Sequence, residues 1–554
     1  MEQKRLFLAI GLSLLILIVW QKFLMPKPDV VQPNDSKVEE VKKEKGEIVS
    51  DQIIKNNTEL SENNVGEVEQ KIETKIVKTP LYEIKISNRG AVFTSFKLKK
   101  FNETNKNDSD LKELLSDQLK NGSFNVFFKN SSINLKENSI FKCNIEDKEI
   151  NINDNNLEIK YTFVDKNGII VDKIFKFDPV TYLIDMDVKI SNGSNNTIND
   201  KIYFSIKNQM SEKKGFAFEG PSLFQKNKLE QIKVKNIEDK DTYTNDIKWT
   251  AIEERYFVTG IIAVDEGEGD ASVKFKYNED NRIIENQIIK ETGMINSGNA
   301  KIVNFKIYAG PKNLSILKET GYKLDKIVNF GWFDFIAKPC LLLMNFIYAN
   351  VFSNYGIAII ILTILFKLIF WPLGTKSYKS MNDMKKLQPL VAELKEKYKS
   401  DKQKMNQEMM ELYKVYKVNP LSGCLPMLVQ LPIFFAFYRM LYSAIELRHA
   451  PFFGWIQDLS APDRLFDFSF SFTIPFFDPP FGIPVLTLLM GASMFLQQKM
   501  SPPAGDPMQA RMMMLMPLFM TVIFVNFSSG LVLYWLVNNL VSIGQQYYVM
   551  KKNA

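Results

Sequence analysis

From Val351 onward the chain carries five long, nearly uninterrupted apolar runs: Val351–Leu373, Leu421–Leu447, Phe481–Leu496, Met512–Phe527 and Leu531–Met550. A helix rises about 1.5 Å per residue, so roughly 20 apolar residues cross a hydrocarbon core of roughly 30 Å. No other feature restricts the fold so strongly, because backbone polar groups within lipid must be satisfied inside a helix or a closed barrel. A sixth run, Leu6–Trp20 continued by Phe23-Leu24-Met25, follows Lys4-Arg5. It ends in Trp20-Gln21-Lys22 rather than in the small residues of a cleavage site, so residues 1–25 read as an uncleaved anchor with a cytoplasmic N-terminus.

The net charge of +7 is unevenly distributed. Residues 26–337 hold 47 Lys and Arg against 50 acids, and residues 338–554 hold 20 against 12. Loop 374–420 has eleven Lys and six acids, whereas 444–480 has two Arg and five acids. The positive-inside rule places the first loop in the cytoplasm, the second outside and Lys551-Lys552 back in the cytoplasm. That pattern requires an even number of spans, here six, with both termini cytoplasmic.

Between the anchor and the later runs the character changes twice. Residues 26–79 contain no aromatic residue and read as a disordered tether. Residues 80–320 show period-two alternation, as in Tyr82, Ile84 and Ile86, in Tyr182, Ile184, Met186, Val188 and Ile190, and in Val273, Phe275 and Tyr277. Leu157–Val164 and Ile169–Phe177 flank Asp165-Lys166-Asn167-Gly168, a hairpin signal in which Asn and Gly can both take positive φ. The region reads as a large all-β sandwich outside the cytoplasm. Residues 321–350 are interrupted by Lys338, Pro339, Asn345 and Asn350 and read as an interfacial amphipathic helix, with a five-span core over 351–554.

Histidine occurs once, at His449, and the three cysteines Cys143, Cys340 and Cys424 are far apart. No zinc-site or metalloprotease spacing exists, and no cofactor is expected. Lys367 is the one charge deep in an apolar run, which marks it as a functional candidate. It also lies four residues before Trp371, so its amine could equally snorkel to the interface. Thr363 shares its helix face, and Gln430 is a second polar residue within a span. Met384, Leu387, Val391, Leu394 and Tyr398, then Met405, Met409, Leu412 and Tyr416, give two helical stripes about Lys399-Ser400-Asp401, a cytoplasmic hairpin over 378–417. Its lysines form either a solvated face or a surface for RNA or anionic lipid. The runs Phe481–Leu496 and Met512–Phe527 are short for a bilayer and could thin it. The methionines of Met508–Met520 suit either packing or an adaptable apolar surface.

Asn419-Pro420-Leu421-Ser422-Gly423-Cys424-Leu425-Pro426 and Gln430-Leu431-Pro432-Ile433-Phe434 resemble the third span of YidC-type membrane protein insertases. Glu446-Leu447-Arg448, Gln498-Lys499-Met500-Ser501-Pro502, Asp506-Pro507-Met508-Gln509, Ser529-Gly530-Leu531-Val532-Leu533-Tyr534 and Gln545-Gln546 extend the resemblance in order. It implies a Gram-negative inner-membrane form with a periplasmic β-supersandwich. It further implies a hydrophilic groove, lined by Lys367, Thr363, Gln430 and Tyr534, and an apolar slide for substrate at Phe434, Phe435, Met514 and Phe519. The family's groove cation is usually Arg, so Lys367 keeps the charge without the guanidinium fork. The partners implied are nascent membrane proteins, the Sec translocon, the ribosome through the hairpin and C-terminus, and membrane lipids, with the protein acting as a monomer. An ion or small-molecule transporter is the competing reading. A sugar-converting β-domain on an anchor is a third.

Overall fold

The computed structural model describes residues 71–106, 108–119, 121–129, 131–211, 215–264, 271–416, 418, 425–468, 481–501 and 507–552. The anchor, residues 26–70 of the tether and the Asn419–Cys424 motif lie outside the described residues. Thr74–Ser211 and the described residues from Ala217 onward form one unit.

The strand Leu157–Val164 pairs antiparallel with Ile169–Phe177, Leu157 opposite Phe177. Gly168 closes the turn at φ 79°, while Asn167 stays out of the left-handed region. Asp165 O accepts from Gly168 N at 3.0 Å, so the reversal uses one positive-φ residue rather than two. The hairpin belongs to a nine-stranded sheet whose central strands are Phe257–Ala263, Ala300–Pro311 and Leu183–Asn192. Two five-stranded sheets pack on it, one centred on Tyr82–Ser87 and the other on Ile283–Glu291. Ring contacts join the layers, Phe93 to Phe175 at 5.2 Å and Phe204 to Phe305 at 5.1 Å. The alternation expected from sequence is met residue by residue: Ile184, Met186, Val188 and Ile190 are all fully buried.

One boundary differs from the sequence reading. Thr74–Lys78, assigned to the tether, is a strand that pairs antiparallel with Tyr82–Ser87 and parallel with Glu149–Asn151. Five residues without an aromatic carry little burial of their own, and Val77 is buried because strands flank it on both sides. Inside the sandwich lies Lys173, fully buried, its Nζ donating to Gly90 O at 2.5 Å and lying 5.2 Å from the Phe141 ring centroid.

The helices follow. α1 (Leu314–Thr320) is capped by Asn313, whose side chain accepts from Ser315 N and Ile316 N. α2 (Asp334–Asn350) contains Pro339 and buries Cys340, Leu341 and Met344 while Phe335, Leu342 and Phe346 stay exposed. α3 (Tyr355–Ile369) meets α4 (Trp371–Lys386) at a 65° bend. Pro372 supplies no N–H to continue the helical ladder there. α5 (Gln388–Lys397) and α6 (Lys402–Val415) form the hairpin, with Asp401 capping Gln403 N and Lys404 N. The single stripe expected from Met384 to Tyr398 breaks at Leu387, because Pro389 at the start of α5 again lacks the donor. α7 (Leu425–Ser443), α8 (Val485–Met500), α9 (Pro507–Phe524) and α10 (Ser529–Lys552) complete the chain. α8 starts four residues later than its apolar run, after the short strand Phe481–Ile483, and its 16 residues span about 24 Å.

By length and composition alone, Gly331–Asn350 is the one described helical stretch sufficient to cross a membrane, and the bent pair α3 and α4 is sufficient jointly. α10 is longer, at 24 residues, but too polar to qualify.

Candidate functional site

The polarity of α10 is confined to one side. Asn538, Asn539, Ser542, Gln545 and Gln546 are all buried and recur at spacings of three and four, so they share a face. Burying amides and a hydroxyl is costly unless they are hydrogen-bonded, and most of this seam is. Asn539 Nδ2 donates to Ser493 Oγ of α8 at 3.1 Å. Gln545 Nε2 donates to Trp371 O at 2.8 Å and to Thr375 Oγ1 at 3.2 Å, taking up a carbonyl at the bend between α3 and α4. Gly374 makes that approach possible, since a Cβ there would sit 2.8 Å from the Gln545 amide.

Lys367 of α3 points at this seam. Its Nζ donates to Ser542 Oγ at 2.7 Å, and Ser542 Oγ in turn donates to Asn538 O at 2.7 Å. The Tyr378 side chain of α4 lies against Ser542 and against Gln497 of α8. Among the described residues no carboxylate lies within ion-pair distance of Lys367, whose side chain is half-buried. Among those residues the amine is held by a hydroxyl and has no counter-ion.

The other predicted groove residues occupy different levels. Thr363 is buried, and its hydroxyl donates to Ile359 O of its own helix at 2.7 Å. Tyr534 is buried, stacks on Phe437 with centroids 4.7 Å apart and lies against Gln430. Tyr534 precedes Ser542 by eight residues, about 12 Å of rise, so the Gln430–Tyr534 pair lies two turns along α10 from the amine. Of the apolar candidates, Phe434 meets Trp535 edge-on at 4.6 Å and Phe435 stacks on Phe333 at 5.8 Å. Met514 and Phe519 are 56% and 62% exposed on α9. The ring contacts joining α7 to α9 run instead through Trp535 and Phe524, 5.0 Å apart.

Sequence reading missed the seam. Its signal was present, as polar residues at helical spacing inside the Leu531–Met550 run, but the run was read for its hydropathy and not for the side its polar residues share.

The Ile445–Arg464 segment folds over one end of the helices. Ser529 N and Gly530 N donate to Ala461 O at 2.7 Å and Leu459 O at 2.9 Å. Asp463, 2% exposed, accepts from Trp455 Nε1 at 2.6 Å, from Leu486 N and from Thr487 N at 3.3 Å, placing a carboxylate at the N-terminus of α8. Arg464 donates to Val525 O at 2.8 Å, just past the C-terminus of α9. The sandwich docks on the same end. Arg255 Nε donates to Tyr442 O at 2.8 Å with its guanidinium 3.7 Å from the Tyr442 ring centroid, and Asn105 Nδ2 donates to Gln457 O at 2.8 Å. Glu446 accepts from Asn313 Nδ2 at 3.0 Å and from Asn345 Nδ2 at 3.3 Å. Ser460 Oγ donates to Asp458 Oδ1 at 2.7 Å, and His449 N donates to the same oxygen at 3.1 Å.

The family described as "60Kd inner membrane protein" matches residues 346–554, and that described as "YidC periplasmic domain" matches residues 75–343. The membrane protein insertase YidC of Syntrophobacter fumaroxidans is 38% identical over 99% of both chains. That of Syntrophus aciditrophicus is 36% identical, also over 99% of both. A crystal structure of an active YidC insertase aligns over 86% of this chain and 95% of its own at 18% identity, with a TM-score of 0.37, too low to bear on the fold. The strand-rich region and the helical region each match their own family, in one chain and in the same order, and the protein therefore belongs to the YidC family of membrane protein insertases.

Proposed function

We propose that the protein inserts nascent membrane proteins into the bacterial inner membrane, with the polar seam of α10 and the facing side of α3 as the groove that receives a polar substrate segment. The observation that carries this reading is the Lys367 amine, hydrogen-bonded to Ser542 but without a carboxylate partner among the described residues. Such an amine attracts an acidic tail or loop as a point charge, with no fixed bidentate geometry. The sandwich and the Ile445–Arg464 segment cover one end of the helices, which supports a groove closed on the periplasmic side and entered from the cytoplasm. In this reading the anchor and five C-terminal segments make six spans, α2 lies at the outer interface, and α5 and α6 receive the chain near a ribosome. The apolar part of the substrate then passes into lipid along Phe434, Phe435, Met514 and Phe519, alone or beside the Sec translocon. No bond is made or broken, and hydrophobic partitioning supplies the free energy.

The test uses one single-span substrate with either an Asp-rich or an Asn-rich tail, inserted into vesicles containing the full chain. Lys367→Glu is expected to reduce insertion of the acidic-tailed form by about tenfold, the equivalent of about 1.4 kcal/mol, and to spare the neutral-tailed form. Equal insertion of the acidic form by variant and wild type would remove the charge from the mechanism.

A further inference from the structure

Ser542 Oγ both donates and accepts. It donates to Asn538 O at 2.7 Å and accepts from Lys367 Nζ at 2.7 Å, and the Tyr378 side chain lies against it. The three neighbours come from three different helices: α10 itself, α3 and α4. Tyr378 also lies against Gln497 of α8, so four helices meet at this pair of hydroxyls. α4 begins at the 65° bend, is tied there to Gln545 and leads at its other end into the cytoplasmic hairpin.

We infer that Ser542 is the resting seat of the Lys367 amine, which an incoming carboxylate must displace, and that Tyr378 couples this seat to the position of α4 and the hairpin. The inference rests on the proposed role of Lys367 and adds a positioning residue to it. In the empty groove the ammonium is satisfied by a neutral oxygen, which avoids a bare charge. A carboxylate outcompetes that oxygen because hydrogen bonds between two ionised partners are roughly twice as strong as neutral ones. Movement of α4 that withdraws Tyr378 removes a polar neighbour of the hydroxyl and loosens the seat. Engagement of the hairpin by an arriving chain thereby frees the amine that the chain's acidic segment needs.

The seat competes with substrate, so its removal has a direction. The full-length protein in vesicles is given the acidic-tailed substrate, and a water-soluble carbodiimide joins tail carboxylates to neighbouring amines; mass spectrometry reads the yield at Lys367. Ser542→Ala removes a charge-assisted hydrogen bond and is expected to raise that yield about tenfold at subsaturating substrate. Ser542→Thr keeps the hydroxyl and is expected to match wild type. Tyr378→Phe, which removes the phenol beside the seat, is expected to raise the yield by less than Ser542→Ala does, about two- to threefold. A yield for Ser542→Ala at or below wild type, or the same change in Ser542→Ala and Ser542→Thr, overturns the seat. An effect of Tyr378→Phe that persists undiminished in the Ser542→Ala background overturns the coupling. Lys367→Met separates the two levels: if it inserts the acidic-tailed substrate as well as wild type, the role of Lys367 itself falls, whereas a loss there with unchanged yield in Ser542→Ala sinks only the seat.

Discussion

Lys173 makes the stability of the sandwich pH-dependent in a way that can be calculated. Burial pushes its ammonium down to about 7 in the folded protein, from 10.5 for the free side chain. The folded state therefore favours the neutral amine, and between about pH 7 and pH 10.5 the unfolded chain binds more protons than the folded one. Stability gained from this group rises with pH through that window and is lost as pH falls toward 7. From pH 7 to pH 8.5 the linkage relation gives roughly a fifteenfold change in the unfolding equilibrium. Replacing Lys173 by Met keeps an unbranched side chain of similar length and removes the titration. Hydrogen-exchange mass spectrometry on peptides covering Ile169–Phe177, with wild type and Lys173→Met compared at each pH, cancels the intrinsic pH dependence of exchange. The protection of wild type relative to the variant should rise by about fifteenfold across that interval. A constant ratio, or one that falls with pH, would show that the carbonyl of Gly90 and the Phe141 ring keep the ammonium charged, and the reasoning from burial would fail.

Two further substitutions probe the helices. A Cβ on Gly491 of α8 would sit 2.1 Å from Thr521 Oγ1 of α9, a hydroxyl already held to Pro517 O at 2.7 Å; Gly491→Ala should cost about 1–3 kcal/mol and lower the thermal midpoint in detergent, and Thr521→Ala in the same chain should recover most of it. Recovery of nothing would place the cost elsewhere than at this contact. Asp463→Ala orphans three N–H donors at one end of α8 and should cost about 2–4 kcal/mol, read as faster amide exchange in the first turn of that helix; Asp463→Asn, which retains an acceptor, should cost less.

What could be read from sequence divides along physical lines. The hairpin Leu157–Val164 with Ile169–Phe177 was legible to the residue because alternation and a Gly turn are local. Its turn type was not, since Asn167 can adopt either hand and the surrounding strands decide. The apolar runs located the helices, but proline at 372 and 389 bent or broke them where hydropathy continued smoothly. Lys367 was visible as a charge in an apolar run. Its partner Ser542 was not, because a serine 175 residues away acquires meaning only when α10 packs against α3. Thr74–Lys78 was misread for the same reason, since its strand character comes from neighbours on both sides.

The polar face of α10 also bears on how the protein itself is made. Five buried amides and hydroxyls leave this helix too polar to enter lipid alone as readily as an ordinary span. Its hydrogen-bond partners sit on α3, α4 and α8, all synthesised before it. Such a helix becomes stable in the membrane only by joining a structure already assembled there. An insertase built this way is, in its own biogenesis, the kind of client it serves.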